Sequence, residues 1–440
     1  MGGRATGRGV NAPAATWFGQ PRGLTILFLT EMWEQFSYFG MRAILVYYMT
    51  KQLLLGQERA SFVYGLYTAT AYFTPIIGGV IADRWLGKRR AVILGGSIMA
   101  AGHFMMTFEP LFYIALATIA VGNGLFLPSL PSQINDLYRP DDARRGWAYN
   151  VYYVGINIGG FLAPLICGTL GEFYGWHWGF GAAGIGMLLG LVVYIYGGRY
   201  LPDQGPIAHR ASPSTAPPEN FGATLTLLIA IGVAVTVFRG AYEQVGNTVA
   251  LWADVGIDRR AGSFTIPMTW FQALNPLMVF ILTPMLLAVW RRRAAAGRNA
   301  PSMRKMATGA LIMAAAYAML SAVAMALEPA RASWGWLALF FVIYTLGELY
   351  ILPTGLGLFA RLAPPKFGAT TVAGWFLAIF SGSLAAGLVG TLWSDMSHGQ
   401  YFIMLSGLGV AAALILLSFD RRAQRIESQR AAEILSLSAS

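Results

Sequence analysis

The sequence predicts an all-α membrane protein whose twelve transmembrane helices form two six-helix halves. Of its 440 residues, 56% are apolar and only 12% are charged, which is too little charge for the surface of a soluble protein of this length. Apolar stretches of about 20 residues, the length at which a helix crosses a bilayer core of about 30 Å, recur along nearly the whole chain. A proline-rich stretch in the middle separates six of them from the other six.

The predicted spans follow one another with mostly short connections, so they belong to one membrane domain. They cover residues 24–50, 61–82, 91–108, 111–137, 147–170, 179–198, 221–251, 264–290, 306–327, 334–360, 368–392 and 400–419. We expect the first span to be retained rather than cleaved as a signal peptide. It is too long for one, contains two acids and is not followed by a small-residue cleavage site.

These spans divide the chain into five segments. They are a cytoplasmic N-terminal segment (1–23), an N-terminal six-helix bundle (24–200), a cytoplasmic linker (201–220), a C-terminal six-helix bundle (221–419) and a cytoplasmic tail (420–440). The linker is rich in Ser and Ala and holds five prolines, namely Pro202, Pro206, Pro213, Pro217 and Pro218. This composition is typical of a flexible connection. The tail is charged and soluble, and partly helical by its pattern.

The basic residues indicate topology rather than a polyanionic partner. The net charge is +11, and with both ends in the cytoplasm five of the 31 Lys and Arg residues lie in outer loops and two within helices, which leaves 24 inside. The outer five are Lys51, Arg59, Arg259, Arg260 and Arg331. This is the positive-inside pattern. It predicts a multi-pass inner (plasma) membrane protein with both termini cytoplasmic and no nucleic-acid partner.

The loop between the second and third spans carries a recognisable pattern of glycines and cations. It reads Gly78-Gly79-Val80-Ile81-Ala82-Asp83-Arg84-Trp85-Leu86-Gly87-Lys88-Arg89-Arg90. Together with the division into six and six spans, it resembles the signature loop of the major facilitator superfamily, whose halves expose a central site alternately to each side of the membrane. A basic stop-transfer loop is the simpler alternative.

Ionisable residues inside the predicted spans are the main functional candidates. They are Glu31, Glu34, Arg42, Arg239, Glu243 and Glu348. A charged side chain in a bilayer core costs several kcal/mol on most scales, so each of these residues is expected to have a partner and a function.

The first span places several of these polar groups at helical spacing. Glu31, Glu34, Tyr38 and Arg42 follow one another at intervals of three and four residues, which predicts one polar face that lines water or another helix. Two carboxylates one turn apart repel each other when both are ionised. At least one is therefore expected to bind a proton near neutral pH, as in a proton-coupling site. A buried network that only joins helices is the alternative.

The segment Thr30-Glu31-Met32-Trp33-Glu34-Gln35-Phe36-Ser37-Tyr38-Phe39-Gly40-Met41-Arg42 resembles the first-helix pattern E-x-x-E-R-F-x-Y-Y-G-x-R of the proton-dependent oligopeptide transporter family. Further matches run in order along the chain. In the fifth helix, Tyr152-Tyr153-Val154-Gly155-Ile156-Asn157-Ile158-Gly159 is similar to the family pattern F-Y-x-x-I-N-x-G. In the seventh and eighth helices, Tyr242-Glu243-Gln244 is similar to aromatic-E-Q, and Phe271-Gln272-Ala273-Leu274-Asn275-Pro276 matches F-Q-x-x-N-P. Gly347-Glu348-Leu349 with Pro353 matches the tenth helix of the family, and Gly374-Trp375-Phe376-Leu377 matches the eleventh. The short linker leaves no room for the two extra helices that many members carry there.

The resemblance implies roles for particular residues. Tyr38, Asn157, Asn275 and Glu348 would line the central cavity, the last three near the amino end of a peptide, and Gln35 and Phe39 would also contact substrate. Arg42 would contact substrate and would also form a gate salt bridge with Glu243 on the outer side. Glu243 would take part in proton coupling with Glu31 and Glu34. For the two asparagines, ordinary hydrogen bonding between helices is the alternative.

The sequence departs from the family pattern at its cations. The arginine of E-x-x-E-R is Gln35 here, and the fourth-helix lysine before proline is Leu127. Without them the acidic residues lose counter-charges, which favours their protonated forms. Arg239, four residues before Glu243, stands where the family usually has an aromatic residue. We hypothesise that Arg239 anchors the substrate carboxylate, with a neutralising pair to Glu243 as the equal alternative.

These observations are compatible with two transport functions, and a third class of protein, an enzyme or receptor, is compared with them. The first is proton-coupled symport of di- or tripeptides or peptide-like compounds, with the proton as coupling ion, no other cofactor, the lipid bilayer as surroundings and no obligate protein partner. The second is a divergent member that moves another small metabolite or amino-acid conjugate, with altered or absent proton coupling. An enzyme or receptor finds little support, because no nucleophile, phosphate-loop or metal motif is visible and Cys167 is the only cysteine.

Overall fold

The computed structural model describes residues 16–138 except 18, residue 142, and residues 144–202, 221–298, 300–362 and 368–439. Its helices are α1 (Arg22–Tyr47), α2 (Gln57–Ile81), α3 (Lys88–Met105), α4 (Phe112–Ser132), α5 (Arg144–Ala163), α6 (Thr169–Tyr174), α7 (Trp176–Gly197), α8 (Phe221–Tyr242), α9 (Thr248–Val255), α10 (Trp270–Ala295), α11 (Ser302–Leu327), α12 (Trp334–Leu362), α13 (Gly368–Thr391), α14 (His398–Ser418) and α15 (Asp420–Ala439). Each predicted span overlaps one of these helices, and the all-α membrane fold is confirmed.

Short π-helical and 3-10 segments extend several of these helices. π-Helical turns follow α1 at Tyr48–Gln52 and α2 at Ala82–Leu86, and a third, Pro164–Gly168, joins α5 to α6. Pro164 begins this last segment because it cannot donate the backbone hydrogen bond that a continuous α-helix needs. The fifth predicted span, 147–170, therefore consists of most of α5, this π-helical segment and the first residues of α6.

Ten of the described helical segments are long and apolar enough to cross a membrane by length and composition. Of the twelve predicted spans, those at α1 and α3 are not among these ten, because their polar residues make them less apolar. Glu31, Glu34 and Arg42 lie within α1, and α3 has 18 residues of which the first three are Lys88, Arg89 and Arg90. The outside of the bundle exposes many large apolar side chains, among them Ile114 and Ile185, as expected of a surface that faces lipid.

The seventh predicted span is interrupted near its C-terminal end. We predicted one helix over 221–251, but α8 ends at Tyr242, a 3-10 turn covers Glu243–Gly246, and α9 begins at Thr248. A side chain at position 246 would collide with the Tyr64 hydroxyl of α2, so glycine is required there. The break places the Glu243 carboxylate at the end of α8, facing the other half of the molecule.

The eighth helix begins later than the sequence predicts. The predicted span starts at 264, whereas α10 starts at Trp270. The apolar residues at 264–265 form β5 (Phe264–Thr265), which pairs antiparallel with β4 (Arg260–Ala261) around Gly262 at a φ of +65°. Nearby, β3 (Ile257–Asp258) pairs parallel with β6 (Ala332–Ser333). A hairpin of β1 (Thr16–Trp17) and β2 (Gln20–Pro21) precedes α1.

The two halves pack against each other through a few helix pairs. α2 packs on α13, and α5 packs on α10. The backbones of the two halves lie close together at Gly65 of α2, where any side chain would collide with the backbone of Gly387 on α13. Both positions therefore need glycine for the halves to meet at this distance. Each half has its own buried apolar core, around Met41 and Ile119 in the N-terminal half and around Tyr317 and Phe402 in the C-terminal half.

The segments outside the spans are described only in part. The predicted linker 201–220 lies outside the described residues apart from Leu201 and Pro202, and so does 1–15 of the N-terminal segment. In the tail, α15 packs on the C-terminal half with Ala423 and Ile426 buried. The carboxylate of Asp420 accepts a 2.8 Å hydrogen bond from Nε of Arg304 on α11.

Candidate functional site

A cavity of about 590 Å³ lies between the two halves. It is lined by residues of both halves; its polar and charged wall consists of Gln35, Arg42, Tyr72, Tyr153, Asn157, Arg239, Tyr242, Glu243, Gln272, Asn275, Tyr344 and Glu348. The remaining wall is apolar and aromatic, and includes Phe39, Leu356 and Trp375. The volume is that of a small-molecule site, and the lining combines a largely apolar surface with a few converging polar groups.

Hydrogen bonds close the cavity at one end of the bundle. We call this the sealed end; it carries the connections 48–56, 247–269 and 392–397, whereas the opposite, terminal end is where α1 begins and α14 ends. The hydrogen bonds that join the halves there include Tyr47 Oη to the Ala250 carbonyl (2.6 Å), Gln57 Nε2 to the Gly390 carbonyl (2.8 Å), Ser61 Oγ to Asn247 Oδ1 (2.9 Å), Ser394 Oγ to Gln57 Oε1 (2.8 Å), Trp270 Nε1 to Thr169 Oγ1 (2.8 Å) and Gln272 Nε2 to the Ala43 carbonyl (3.0 Å). The cavity wall instead continues towards the terminal end as far as Leu356, which is 45% exposed.

Glu172 adds a further connection at the sealed end. It lies on α6 in the N-terminal half and accepts hydrogen bonds from the backbone N–H of Met268 (3.1 Å) and of Thr269 (2.9 Å), immediately before α10 of the other half. It also accepts one from the Thr269 hydroxyl at 2.7 Å. A carboxylate at this position satisfies unpaired N–H groups at a helix N-terminus and interacts favourably with the helix dipole. One half therefore caps a helix of the other.

The Glu243 carboxylate is shared by two arginines. One oxygen pairs with Arg42 on α1, across the interface between the halves, and the other pairs with Arg239, one turn earlier on α8. Arg42 also donates from Nε to the hydroxyl of Tyr64 at 2.6 Å. Two cations on one carboxylate leave one positive charge in excess, so the pair with Glu243 does not by itself neutralise Arg239.

Arg239 lies between two aromatic rings at the cavity wall. Its guanidinium carbon is 5.0 Å from the ring centroid of Tyr72 on α2 and 5.3 Å from that of Tyr242 on its own helix. These distances are those of cation–π interactions. The residue is 3% exposed, and its Nε has no hydrogen-bond partner among the described residues. A buried donor without a partner is costly, which favours an acceptor that binds from the cavity.

Glu348 faces the cavity from α12 and is held by neutral donors. Asn275 Nδ2 on α10 donates to one carboxylate oxygen at 2.6 Å, and the Tyr242 hydroxyl donates to the other at 2.9 Å. Asn275 also donates to Thr345 Oγ1 at 3.0 Å. When it is ionised, this carboxylate is opposite in sign to the excess charge of the arginine cluster.

Most of the predicted substrate-binding residues lie on the cavity wall. Gln35, Phe39, Arg42, Asn157, Arg239, Asn275 and Glu348 all line it, together with Glu243. The side-chain amide of Asn157 donates to the carbonyl of Tyr153 in its own helix at 2.9 Å. Among the described residues this amide has no partner on another helix, unlike that of Asn275.

Tyr38, which the family resemblance places on the cavity wall, does not line the cavity, and neither do Glu31 and Glu34. At 100° per residue, the mean direction of positions 35, 39 and 42 lies about 70° around the helix from the mean direction of positions 31, 34 and 38. Tyr38 is 9% exposed and packs within the core of the N-terminal half, and its hydroxyl has no hydrogen-bond partner among the described residues. The first face meets the cavity and the second meets α2 and α5.

The two glutamates form one hydrogen-bonded cluster with Gln35. The Gln35 amide donates to Glu34 Oε2 at 2.8 Å and to Glu31 Oε1 at 3.1 Å, while the Tyr152 hydroxyl of α5 donates to Glu31 Oε2. Glu31 and Glu34 are 2% and 1% exposed. Because Gln35 also lines the cavity, it joins the buried acid pair to the space where a ligand would bind.

Sequence reasoning missed the tyrosines that surround these charged groups. Tyr64, Tyr72, Tyr152 and Tyr242 each contact one of them through a hydroxyl or a ring, but none was identified as a site residue. A signal was present, since a tyrosine in an apolar helix needs a partner for its hydroxyl. The sequence could not show which charged residue each hydroxyl or ring would reach.

Metal and imidazole chemistry receive no support from the described part of the chain. No group of three or more His, Cys, Asp or Glu residues there could hold a metal ion. Cys167 is buried. His103 is fully buried in α3, and neither ring nitrogen has a hydrogen-bond partner among the described residues.

Comparisons with known proteins agree on one family. The sequence model of the POT family matches residues 89–215 and 223–404. The chain is similar to a di-/tripeptide transporter of Lactococcus lactis subsp. cremoris, with 30% identity over 93% of this chain and 97% of the relative. It is also similar to a peptide transporter of Yersinia enterocolitica, with 31% identity over 86% and 89%. A crystal structure of a variant POT peptide transporter in complex with alafosfalin has 30% identity and a TM-score of 0.86, over 94% of this chain and 97% of that one.

Proposed function

This chain belongs to the POT family, and we propose that it is a secondary active transporter that carries short peptides or peptide-like compounds across the membrane together with protons. One observation carries the proposal. The cavity between the halves has an excess positive charge at Arg42, Arg239 and Glu243, and its wall also carries the carboxylate of Glu348 on α12. A short peptide is a zwitterion whose two ends complement these charges.

The amino end of the peptide would bind at Glu348. An ammonium needs acceptors, and the carboxylate is already oriented by Asn275 and Tyr242. Asn157 faces the same cavity from α5 of the other half. A peptide held between Glu348 and Asn157 would contact both halves at once, which suits a transporter whose halves move relative to each other.

The carboxylate end would bind at the arginine cluster. Arg42 and Arg239 share one acid, so together they retain a positive charge for an incoming carboxylate. Gln35 and Phe39 lie on the wall beside Arg42 and would contact the peptide between its two ends. Arg239 would thus supply a cation that the family pattern has on the fourth helix, where this chain has Leu127.

Transport would follow from alternate opening of the two ends. The arrangement described here corresponds to a state open at the terminal end, which we assign to the cytoplasmic side of the inner membrane from the distribution of Lys and Arg. Opening of the sealed end would require the Arg42–Glu243 pair and the neighbouring hydrogen bonds to separate. Protonation of Glu31, Glu34 or Glu243 would bias this opening and closing.

A flux measurement in proteoliposomes tests the proposal. With an inward proton gradient we expect di- and tripeptides to accumulate above equilibrium, and a protonophore to abolish the accumulation. Protein-free liposomes serve as the control. If no di- or tripeptide accumulated while another solute did, the peptide assignment would be wrong. Accumulation that a protonophore left unchanged would contradict proton coupling but not the substrate.

A further inference from the structure

The buried acid pair of α1 has no cationic partner in the part of the chain that the structure describes. Glu31 and Glu34 form no ion pair there, and their hydrogen bonds come from two neutral side chains, Gln35 and Tyr152. Carboxylates buried to this extent normally require a cation or several donors. The charge state of this pair therefore depends on hydrogen bonds alone.

The described residues around the pair supply no further charge. α7 packs against this segment with glycines, since Gly186 approaches Phe36 and Gly190 approaches Trp33. From α2, Tyr67 lies within electrostatic range of Glu34, and its buried hydroxyl has no hydrogen-bond partner among the described residues. From α5 the titratable group is Tyr152. Both tyrosines are neutral, so neither offsets a negative charge, and ionising the second acid of the pair costs more than ionising the first.

The donors are divided unequally between the two acids. Glu31 accepts one hydrogen bond from Gln35 and one from the Tyr152 hydroxyl, through different oxygens. Among the described residues, Glu34 accepts a hydrogen bond from the Gln35 amide alone. Since hydrogen bonds to a carboxylate favour its ionised form, the single negative charge of the pair belongs on Glu31.

We propose that Tyr152 replaces a counter-cation, because its hydroxyl holds the negative charge on Glu31 and thereby makes Glu34 the residue that binds and releases the coupled proton. The inference rests on the proposed function. The family pattern quoted for the fifth helix has phenylalanine at this position, and the arginine that follows the second glutamate is Gln35 here. A hydroxyl on α5 and an amide on α1 together take over the stabilisation of the pair, and Tyr152 acts as a positioning residue.

Tyr152→Phe removes this hydroxyl with little change of shape, and Tyr149→Phe is the matched control. Tyr149 lies one turn earlier on the same helix, and its hydroxyl bonds to Asn135 Oδ1 at 3.0 Å instead. Loss of a hydrogen bond to a charged group should move the proton affinity of the pair by about one pH unit, towards tighter binding. Proton-driven uptake should then fall about tenfold, while peptide counterflow, which needs no proton release, should persist.

Proton binding by the purified protein, followed with an indicator dye through neutral pH, tests the inference without any peptide. We expect the midpoint to rise in Tyr152→Phe, to stay unchanged in Tyr149→Phe, and to return towards the original value in Gln35→Arg/Tyr152→Phe, where a cation is restored. Glu34→Gln should remove the proton-binding step and Glu31→Gln should only lower its midpoint. An unchanged midpoint in Tyr152→Phe, or loss of the step in Glu31→Gln but not in Glu34→Gln, would overturn the proposal. Failure of the wild type to move peptides would instead count against the proposed function.

Discussion

Arg42 on α1 and Glu243 at the end of α8 form an ion pair that joins the two halves of the protein beside the sealed end of the cavity. Glu243 is 1% exposed and is bound by Arg239 through its second oxygen. The same carboxylate therefore closes the interface and sets the charge of the cavity wall. Four predictions follow from this arrangement and from its neighbours.

Glu243→Gln should disable proton-driven uptake. The substitution leaves Arg42 and Arg239 buried without their shared acid, and removing one member of a buried ion pair costs about 3–5 kcal/mol. We expect accumulation in proteoliposomes to fall at least tenfold, on the order of what such an energy implies. Asp258→Asn is the control, because it removes the pair with Arg260, which is 76% exposed. Wild-type accumulation by Glu243→Gln would contradict a role of this pair in transport.

Arg239→Gln should weaken binding of peptides that have a free carboxylate. We expect the dissociation constant to rise about tenfold, the effect of losing one charge-assisted hydrogen bond, with Arg239→Lys retaining part of the affinity. Peptide amides, which lack the carboxylate, should bind the variant and the wild type alike. The measurement is ligand-induced thermal stabilisation of the purified protein. If free acids bound Arg239→Gln as tightly as wild type, Arg239 would be only a structural partner of Glu243.

Glu348→Gln should remove the preference for a free amino terminus. The amide keeps the shape of the side chain but loses the charge that attracts an ammonium, so affinity for unmodified dipeptides should fall about tenfold. N-acetylated dipeptides should bind both proteins weakly and to the same extent. Glu328→Gln, which alters an acid paired with His398 at the sealed end, serves as the control in competition-binding assays. A preference that survived in Glu348→Gln would place the ammonium site elsewhere.

Glu172→Ala should loosen the sealed end. Loss of a side-chain cap at a helix N-terminus costs about 1 kcal/mol, which would shift the balance of closed and open forms about fivefold. A cysteine at Ala250, which is 3% exposed, introduced together with Cys167→Ser, should react about fivefold faster with a membrane-impermeant maleimide. Glu109→Ala, an acid of the same end that binds Gln52 within its own half, should leave the rate unchanged. Equal rates in all three proteins would argue against the cap.

The helical spans could be predicted because hydrophobicity and length are local properties. Apolar runs of about 20 residues predicted the positions of α2, α4 and α11 closely. The start of α10 was predicted several residues too early, because an apolar tripeptide is as suitable for a strand as for a helix. The break after Tyr242 was not predicted, since it depends on the contact of Gly246 with Tyr64, a residue of the other half.

The candidate site was predicted only as a set of residues. Arg42, Arg239, Glu243 and Glu348 were identified because burying a charged side chain in an apolar helix costs free energy. All four lie on the cavity wall. The orientation of α1 was wrong for Tyr38, because helical spacing defines neighbouring faces but not which of them meets the partner half. Tyr152 was recognised only as part of a motif. Its contact with Glu31 depends on how α5 packs against α1.

The amino-acid sequence by itself determined that this is a helical membrane protein with acids and arginines inside its spans, because composition, periodicity and the cost of burying charge act within short stretches of chain. Only the tertiary structure decided how those charges are shared. Glu243 serves two arginines, and Glu31 and Glu34 depend on an amide and a hydroxyl instead of a cation. Such sharing arises from distances of a few ångströms between helices that are far apart in sequence, and packing alone sets those distances.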